Sequence, residues 1–553
     1  MSSEVELSSI EVKAAPTAPA RWWAAVDRAM VWGGDRLNPI LVKETRQALK
    51  SRQFVITFAL LLLCGWVWSI LGVAMIGPDI WYGAQGADMF FGYYAILAFP
   101  LTVIVPFGAF RSLAGEQEDR TYELMSITGL GPRQIIRGKL GSAVLQMLIY
   151  LSAISPCLAF TYMLRGIDAP TILFILLYLS LGSLALSVIG LLAGTLTSEK
   201  HWQVVLSVVL IAGLFYAFGM SFLLAGVTLA ELHGVFLQPE FWQANAAFLT
   251  GYAGYFALLF YAAAAQLSFT SDNRSTRLRI TMVVQHVLLT GWMAWLWIWP
   301  AQGEEELPFV FLMFLGIHWW VMGALMTGES PELSPRVKRQ LPQSFLGRVF
   351  LTWLNPGPGT GYMLAVSGML AGLVTVGMAL MLVKWIALWS PQNWRFNTAG
   401  TTLPFGILGF SYATFYLGLG LLVIRLLRRF THVGILLAAL VQVLVLLLGC
   451  GVPMIIYMLS TYWYDADYSL LQITNPFWSL MHVVDRSALP PEGYVLLAIV
   501  PLAALLVFVL NLGGIVREVR NVRIAKPRRV AEEDAELAAV KVPPEPVKKS
   551  PWD

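Results

Sequence analysis

Two short polar segments carry the residue types that could do work beyond packing. The first runs from Asn38 to Gln53 and reads NPILVKETRQALKSRQ. Asn38 suits a helix cap and Pro39 the first turn, where a missing N–H costs nothing. Ile40, Leu41, Ala48 and Leu49 form an apolar side free to face lipid, while Lys43, Arg46, Gln47 and Lys50 form a polar one. With Glu44 and Arg52 included, the pattern predicts an interfacial amphipathic helix over 38–53. A basic flank that orients the first span is the plainer alternative. The second segment, residues 111–141, reads RSLAGEQEDRTYELMSITGLGPRQIIRGKLG. Glu116, Glu118 and Asp119 suit the positive end of a short helix. Thr121, Glu123, Leu124, Met125 and Ile127 come next, then a break from Gly129 to Pro132, then a basic stretch with Arg133, Arg137 and Lys139. A helical hairpin that exposes apolar residues needs a partner to cover them; an ordinary surface loop is the alternative.

Other candidate chemistry is thin. Gly131 to Lys139 has six residues between its glycines and Leu140 after its lysine, which rules out a phosphate-cradling loop. Any ATP must therefore be hydrolysed on another polypeptide, and no cofactor is expected on this one. His286 and His318 fall in adjacent apolar stretches, but two imidazoles without a carboxylate make a poor metal site, so hydrogen-bonded packing is the reading. Asp465 with Asp467, and His482 with Asp485, form neither a metal spacing nor a nucleophile arrangement, so a membrane enzyme lacks a site. Cys64, Cys157 and Cys450 are not spaced as a redox or metal pair and read as small packing residues.

The elements that must position these segments are apolar. The chain has 553 residues, 57% of them hydrophobic and 13% charged, with a mean hydropathy of +0.67, which describes an all-α polytopic membrane protein. Twelve stretches can each cross a bilayer: 54–76, 89–110, 140–163, 171–196, 202–229, 244–267, 280–299, 307–326, 361–383, 403–424, 433–458 and 493–516. Of the 37 Lys and Arg residues, only Arg165, Lys384, Arg395 and Arg486 fall on one side. Basic residues resist translocation, so the tally predicts both termini in the cytoplasm and a multi-pass protein of the plasma (inner) membrane. The net charge of +4 is explained by this bias, and no nucleic-acid partner is read from it.

The predicted organisation is a cytoplasmic tail over 1–37, the interfacial helix, a six-span domain over 54–267, a second six-span domain over 268–516, and a disordered tail over 517–553. The first tail has a Trp-rich patch at Trp22, Trp23 and Trp32 but no apolar core and cleavage site, so the first span reads as a retained anchor. Segment 459–492 holds LLQITNPFWSLMHVV, which suggests backbone dipping into the outer leaflet or capping a cavity, with a loop packed on helix ends as the alternative.

Both polar segments resemble the permease subunits of ATP-binding-cassette (ABC) transporters of the ABC-2 class. The first matches a surface helix of the form KE-x-R-x-x-x-x-S-R at Lys43, Glu44, Arg46, Ser51 and Arg52. The second matches E-x-E-x-x-T-x-E-L at Glu116, Glu118, Thr121, Glu123 and Leu124, with G-K at Gly138 and Lys139. Arg120 stands where the family often has Gly. The resemblance covers residues 38–267 and implies an exporter subunit whose acidic segment docks on a separate ABC ATPase, with Met125 and Ile127 in the docking face. If 268–553 is an accessory domain, a pair of permease units, as a homodimer or heterodimer, is expected to meet a symmetric ATPase; if it is a degenerate second copy, one chain supplies both halves. The loop after span eight repeats a Gly-Glu start at Gly328 and Glu329, but Pro331 and Pro335 interrupt any helix there. The competing reading is a twelve-helix secondary transporter of the major facilitator type. Gly115, Asp119 and Arg120 match the start of its loop motif, but Tyr122 and Glu123 depart from it, and the central portions of the spans lack the charges that bind a driving ion.

Overall fold

The computed structural model describes residues 38–539 apart from 79–81, 120–128, 197–198, 232–234, 270, 299–305, 341–343, 345–346, 348–350, 390–399, 461–467, 485–488 and 522–527. The described residues are helical, with twelve helices long and apolar enough to cross a membrane. This is an all-α, multi-pass membrane protein. It divides into two compact units: Met1–Trp242 with Leu259–Leu267, and Gln243–Leu258 with Ser268–Asp553. The division falls within the sixth spanning helix, where the sequence had suggested a break just after it.

In the first unit, α1 (Pro39–Lys50) is followed by the spanning helices α2 (Arg52–Ile76), α3–α4 (Gly86–Phe99 and Val105–Glu118), α5 (Pro132–Met163), α6 (Ala169–Gly194) and α7 (Lys200–Glu231). The Asn38 side chain accepts from the Ile40 N–H and Pro39 opens α1, as the cap residues predict. The expected run of α1 through residue 53 is corrected: Ser51 is extended and its hydroxyl accepts from the Phe54 N–H, so Arg52 opens the first span instead.

Helices α3 and α4 are one continuous span, joined by a π-helical turn over Pro100–Ile104. Pro100 and Pro106 have no N–H to give to the ladder, so the turn widens. The Val105 N–H bonds to the Pro100 carbonyl, which leaves the Leu101 carbonyl without its usual partner. Ser183 of α6 donates to that carbonyl at 2.6 Å. Within hydrocarbon such a replacement is close to obligatory. Just beyond the turn, Gly190 and Gly194 let α6 approach the α4 backbone: a Cβ on Gly190 would lie 2.6 Å from the Pro106 carbonyl oxygen.

The second unit contains α8 (Pro239–Gln266) in part, then α9 (Thr276–Ile298), α10 (Glu306–Met326), a short α11 (Pro335–Gln340), α12 (Pro358–Trp389), α13 (Thr402–Leu427), α14 (Ile435–Ser460), α15 (Pro476–Val484), α16 (Pro491–Asn521) and α17 (Arg528–Ala539). Its core gathers Leu315, Trp319, Tyr362, Ala365, Leu417 and Leu421, each fully or almost fully buried. Segment 470–484 folds as a 3₁₀ turn and α15 packed among the helices. Thr474 donates to the Gly449 carbonyl, about 16 Å short of the end of α14 at 1.5 Å per residue. Gln472 donates to the Pro453 carbonyl, and the Tyr412 hydroxyl to the Ile473 carbonyl. The segment therefore dips into the bundle.

The expectation of a disordered tail from residue 517 is corrected. Helix α16 continues to Asn521, and Arg528–Ala539, rich in strong helix formers, is helical. Helix α11 opens on Pro335, at a first-turn position where proline is tolerated, so that proline starts a helix where it was expected to interrupt one.

Candidate functional site

The two polar segments meet at the first unit's basic end. Lys139 sits at the start of the apolar part of α5 with only 1% of its side chain exposed, and so needs partners for its charge. Its ammonium donates to Glu44 Oε1 of α1 at 3.0 Å and to the Ser112 carbonyl of α4 at 3.1 Å. It also lies 2.9 Å from Glu116 Oε2. Lys43, exposed on α1, reaches the other oxygen of Glu116 at 3.1 Å. Two lysines and two carboxylates thus alternate around one cluster that ties together α1, the end of α4 and the start of α5. Residues 73 positions apart in the chain are brought into direct contact.

Backbone packing holds the same junction. The Asn38 amide donates to the Gln134 carbonyl at 2.5 Å. A Cβ on Gly138 would meet Ile40 at 2.7 Å, and one on Gly141 would meet Leu41 at 2.9 Å. The apolar side of α1 therefore packs on α5, which corrects the expectation that Ile40 and Leu41 face lipid; Ile40 is 4% exposed. Arg46, Gln47 and Lys50 are exposed as expected, while Glu44 is buried.

Of the acidic segment, Glu116 and Glu118 close α4. They were expected at a helix start; instead they lie in a last turn, where the backbone dipole is unfavourable to them, and lysines compensate. Glu118 pairs with Lys200 at 2.6 Å. Gln203 of α7 donates to the Ala114 carbonyl, adding a fourth helix to the junction. Thr121, Glu123, Leu124, Met125 and Ile127 lie outside the described residues.

The second unit builds a different junction around Arg279, which is fully buried. Its guanidinium donates to the carbonyls of Trp353, Asn355 and Gly357, to Ser275 Oγ and Thr360 Oγ1, and to Glu329 Oε2 at 2.7 Å. Glu329 also accepts from the Gly357 N–H and from Ser275. Arg428 donates to the Glu329 carbonyl; burial lowers its pKa from the ordinary guanidinium value, with Glu518 acting the other way. Like Glu116, Glu329 follows a glycine near the end of a spanning helix and is gripped by a cation at the start of another.

Lys139 was named only as part of the basic stretch and the Gly-Lys match, and Arg279 was not singled out. Lys139 and Arg279 each stand as the last charge before an apolar run, and that position, where a cation must either snorkel or find an anion, is the signal that marks them. The two histidines line one cavity and each bonds to another residue: His286 accepts from Trp319 Nε1 at 3.2 Å, and His318 Nδ1 shares a hydrogen with the Tyr255 hydroxyl at 2.8 Å. No group of residues able to hold a metal ion occurs among the described residues. No protein-family model matches the chain, and comparison with curated proteins and with solved structures gave no match.

Proposed function

We propose that this chain is the membrane-spanning permease subunit of an ABC-2 type transporter, working as an exporter with ATP hydrolysed on a separate subunit. The observation that carries the reading is the ion cluster of Lys43, Glu44, Glu116 and Lys139. The surface helix and the acidic segment, the second of which the resemblance names as the docking part, share that cluster. In this reading the acidic segment continuing past Glu118 docks on the ATPase in the cytoplasm. Closure of the ATPase displaces the end of α4, and Lys139 carries the displacement into α5 and α1 as one body. Helix α4 passes it to α6 through the close contacts at Gly190 and Gly194. Alternating access of a substrate path then follows from tilting these spans against one another.

The test is co-expression with a candidate ATPase from the same genome neighbourhood. Replacing Leu124, Met125 and Ile127 together by Asp should abolish co-purification of the ATPase while the permease still inserts. Retained ATPase binding by a stably inserted triple variant would defeat the assignment.

A further inference from the structure

A cavity of about 270 Å³ lies in the second unit among α8, α9 and α10. Most of its wall is apolar, with Leu289, Trp292, Leu307, Phe311 and Phe314 along its length. Thr250, Tyr255, Gln285, His286 and His318 also line it, Thr250 already bonded to the Ala246 carbonyl. Their mutual bonds are incomplete. Tyr255 engages Nδ1 of His318 and Trp319 engages Nδ1 of His286, but Nε2 of His318 and both amide atoms of Gln285 are buried without a partner. His318 is only 6% exposed. Gln285 is confined by its neighbour: a Cβ on Gly254 would lie 3.0 Å from Gln285 Cγ.

Each unmet donor or acceptor in such surroundings keeps its desolvation penalty until a partner arrives. A water needs only about 10–15 Å³ of such space, so one bridging these polar atoms would leave most of the apolar volume unfilled. Among the described residues no Asp, Glu, Lys or Arg lines the cavity, so an ionic ligand would find no counter-charge from them. At the rim, Leu288 and Val310 are 42% and 53% exposed, which opens the space sideways to the bilayer.

We propose that this cavity binds a neutral single-chain amphiphile drawn from the membrane. Its hydroxyl or amide head bonds to Gln285 and His318, and its chain lies along Trp292 and Phe311. The proposal concerns the second unit alone and stands apart from the ATPase reading.

The probe is a long-chain alcohol carrying a diazirine, photolysed with the full chain in lipid nanodiscs and mapped by peptide mass spectrometry. Labelling should be saturable, should fall on peptides containing Trp292 or Phe311, and should be displaced by the unlabelled alcohol. The matching amine and carboxylate should compete at least about tenfold less well. Gln285→Leu and His318→Phe should each weaken labelling about tenfold. Gly251→Trp, at a lining position whose Cβ would meet nothing within 4 Å, should block it while the fold persists. Non-saturable labelling spread over all lipid-facing helices, or labelling unchanged by Gly251→Trp, would overturn the proposal. Equal competition by the charged chains would overturn its neutral chemistry.

Discussion

Exchanging Lys139 for methionine keeps the length and apolar stem of the side chain and removes only the ammonium. Glu44 and Glu116, 10% and 12% exposed, then face each other across the space that the ammonium held, with the exposed Lys43 still beside them. Removing one partner of a buried ion pair typically costs about 3–5 kcal/mol, because the remaining charges keep their desolvation penalty. At about 2–4 °C per kcal/mol for a body of this size, the melting temperature in detergent should fall by about 6–20 °C. The same physics predicts rescue. A triple variant, Lys139→Met with Glu44→Gln and Glu116→Gln, buries no unpaired charge and should recover more than half of the loss. Both proteins are compared by fluorescence-detected gel filtration after heating. A single variant melting within about 2 °C of the parent, or a triple variant no better than the single, would refute the cluster as the tie between α1, α4 and α5.

Gly138→Val places a branched side chain against Ile40 and should destabilise the α1–α5 junction by about 1–3 kcal/mol, seen as earlier proteolysis in α1. Arg279→Lys keeps the charge but cannot reproduce the planar fork. The second unit should lose about 3 kcal/mol by the same heating assay, and a neutral result would remove Arg279 as its hub. Single cysteines at Asp79, Glu305 and Asp467 should react with an impermeant thiol reagent in intact cells, whereas those at Glu118 and Lys338 should not; outside labelling at Glu118 would reverse the proposed orientation.

The spans were legible in the sequence because hydropathy over about 20 residues answers a one-dimensional question. The structure agrees with each of the twelve stretches to within a few residues at most ends, and extends several into flanking polar turns. The cap at Asn38 was legible for the same local reason. The break at Ser51 was hidden, because a serine inside an amphipathic pattern reads equally well as a helical residue or a cap. The π turn announced itself only as two prolines, Pro100 and Pro106, whose effect depends on which neighbour fills the freed carbonyl. At the candidate site the sequence marked the segments but not their pairing. Nothing in the spacing of Glu44, Glu116 and Lys139 says that they touch, since that is a property of how α1, α4 and α5 cross. Helix polarity also misled: acidic residues were read as a helix start, and the lysines that let them close a helix come from elsewhere in the chain.

The π turn in the second span also sets a phase. An α-helix advances about 100° per residue, so one extra residue in a turn rotates everything beyond it by that amount. Before the turn, Tyr93 is oriented towards Ser69 of α2; after it, Pro106 and Phe110 are oriented towards Gly190 and Gly194 of α6. A strictly regular helix of the same sequence could keep one of these alignments and would lose the other. Pro100–Ile104 therefore acts as a gear offset, through which a single span addresses two neighbours lying in different directions. Outside the two prolines, residue number in this stretch is constrained more tightly than residue identity: deleting any one position there would re-aim half of the helix, while many apolar exchanges at 101–104 would leave both alignments in place.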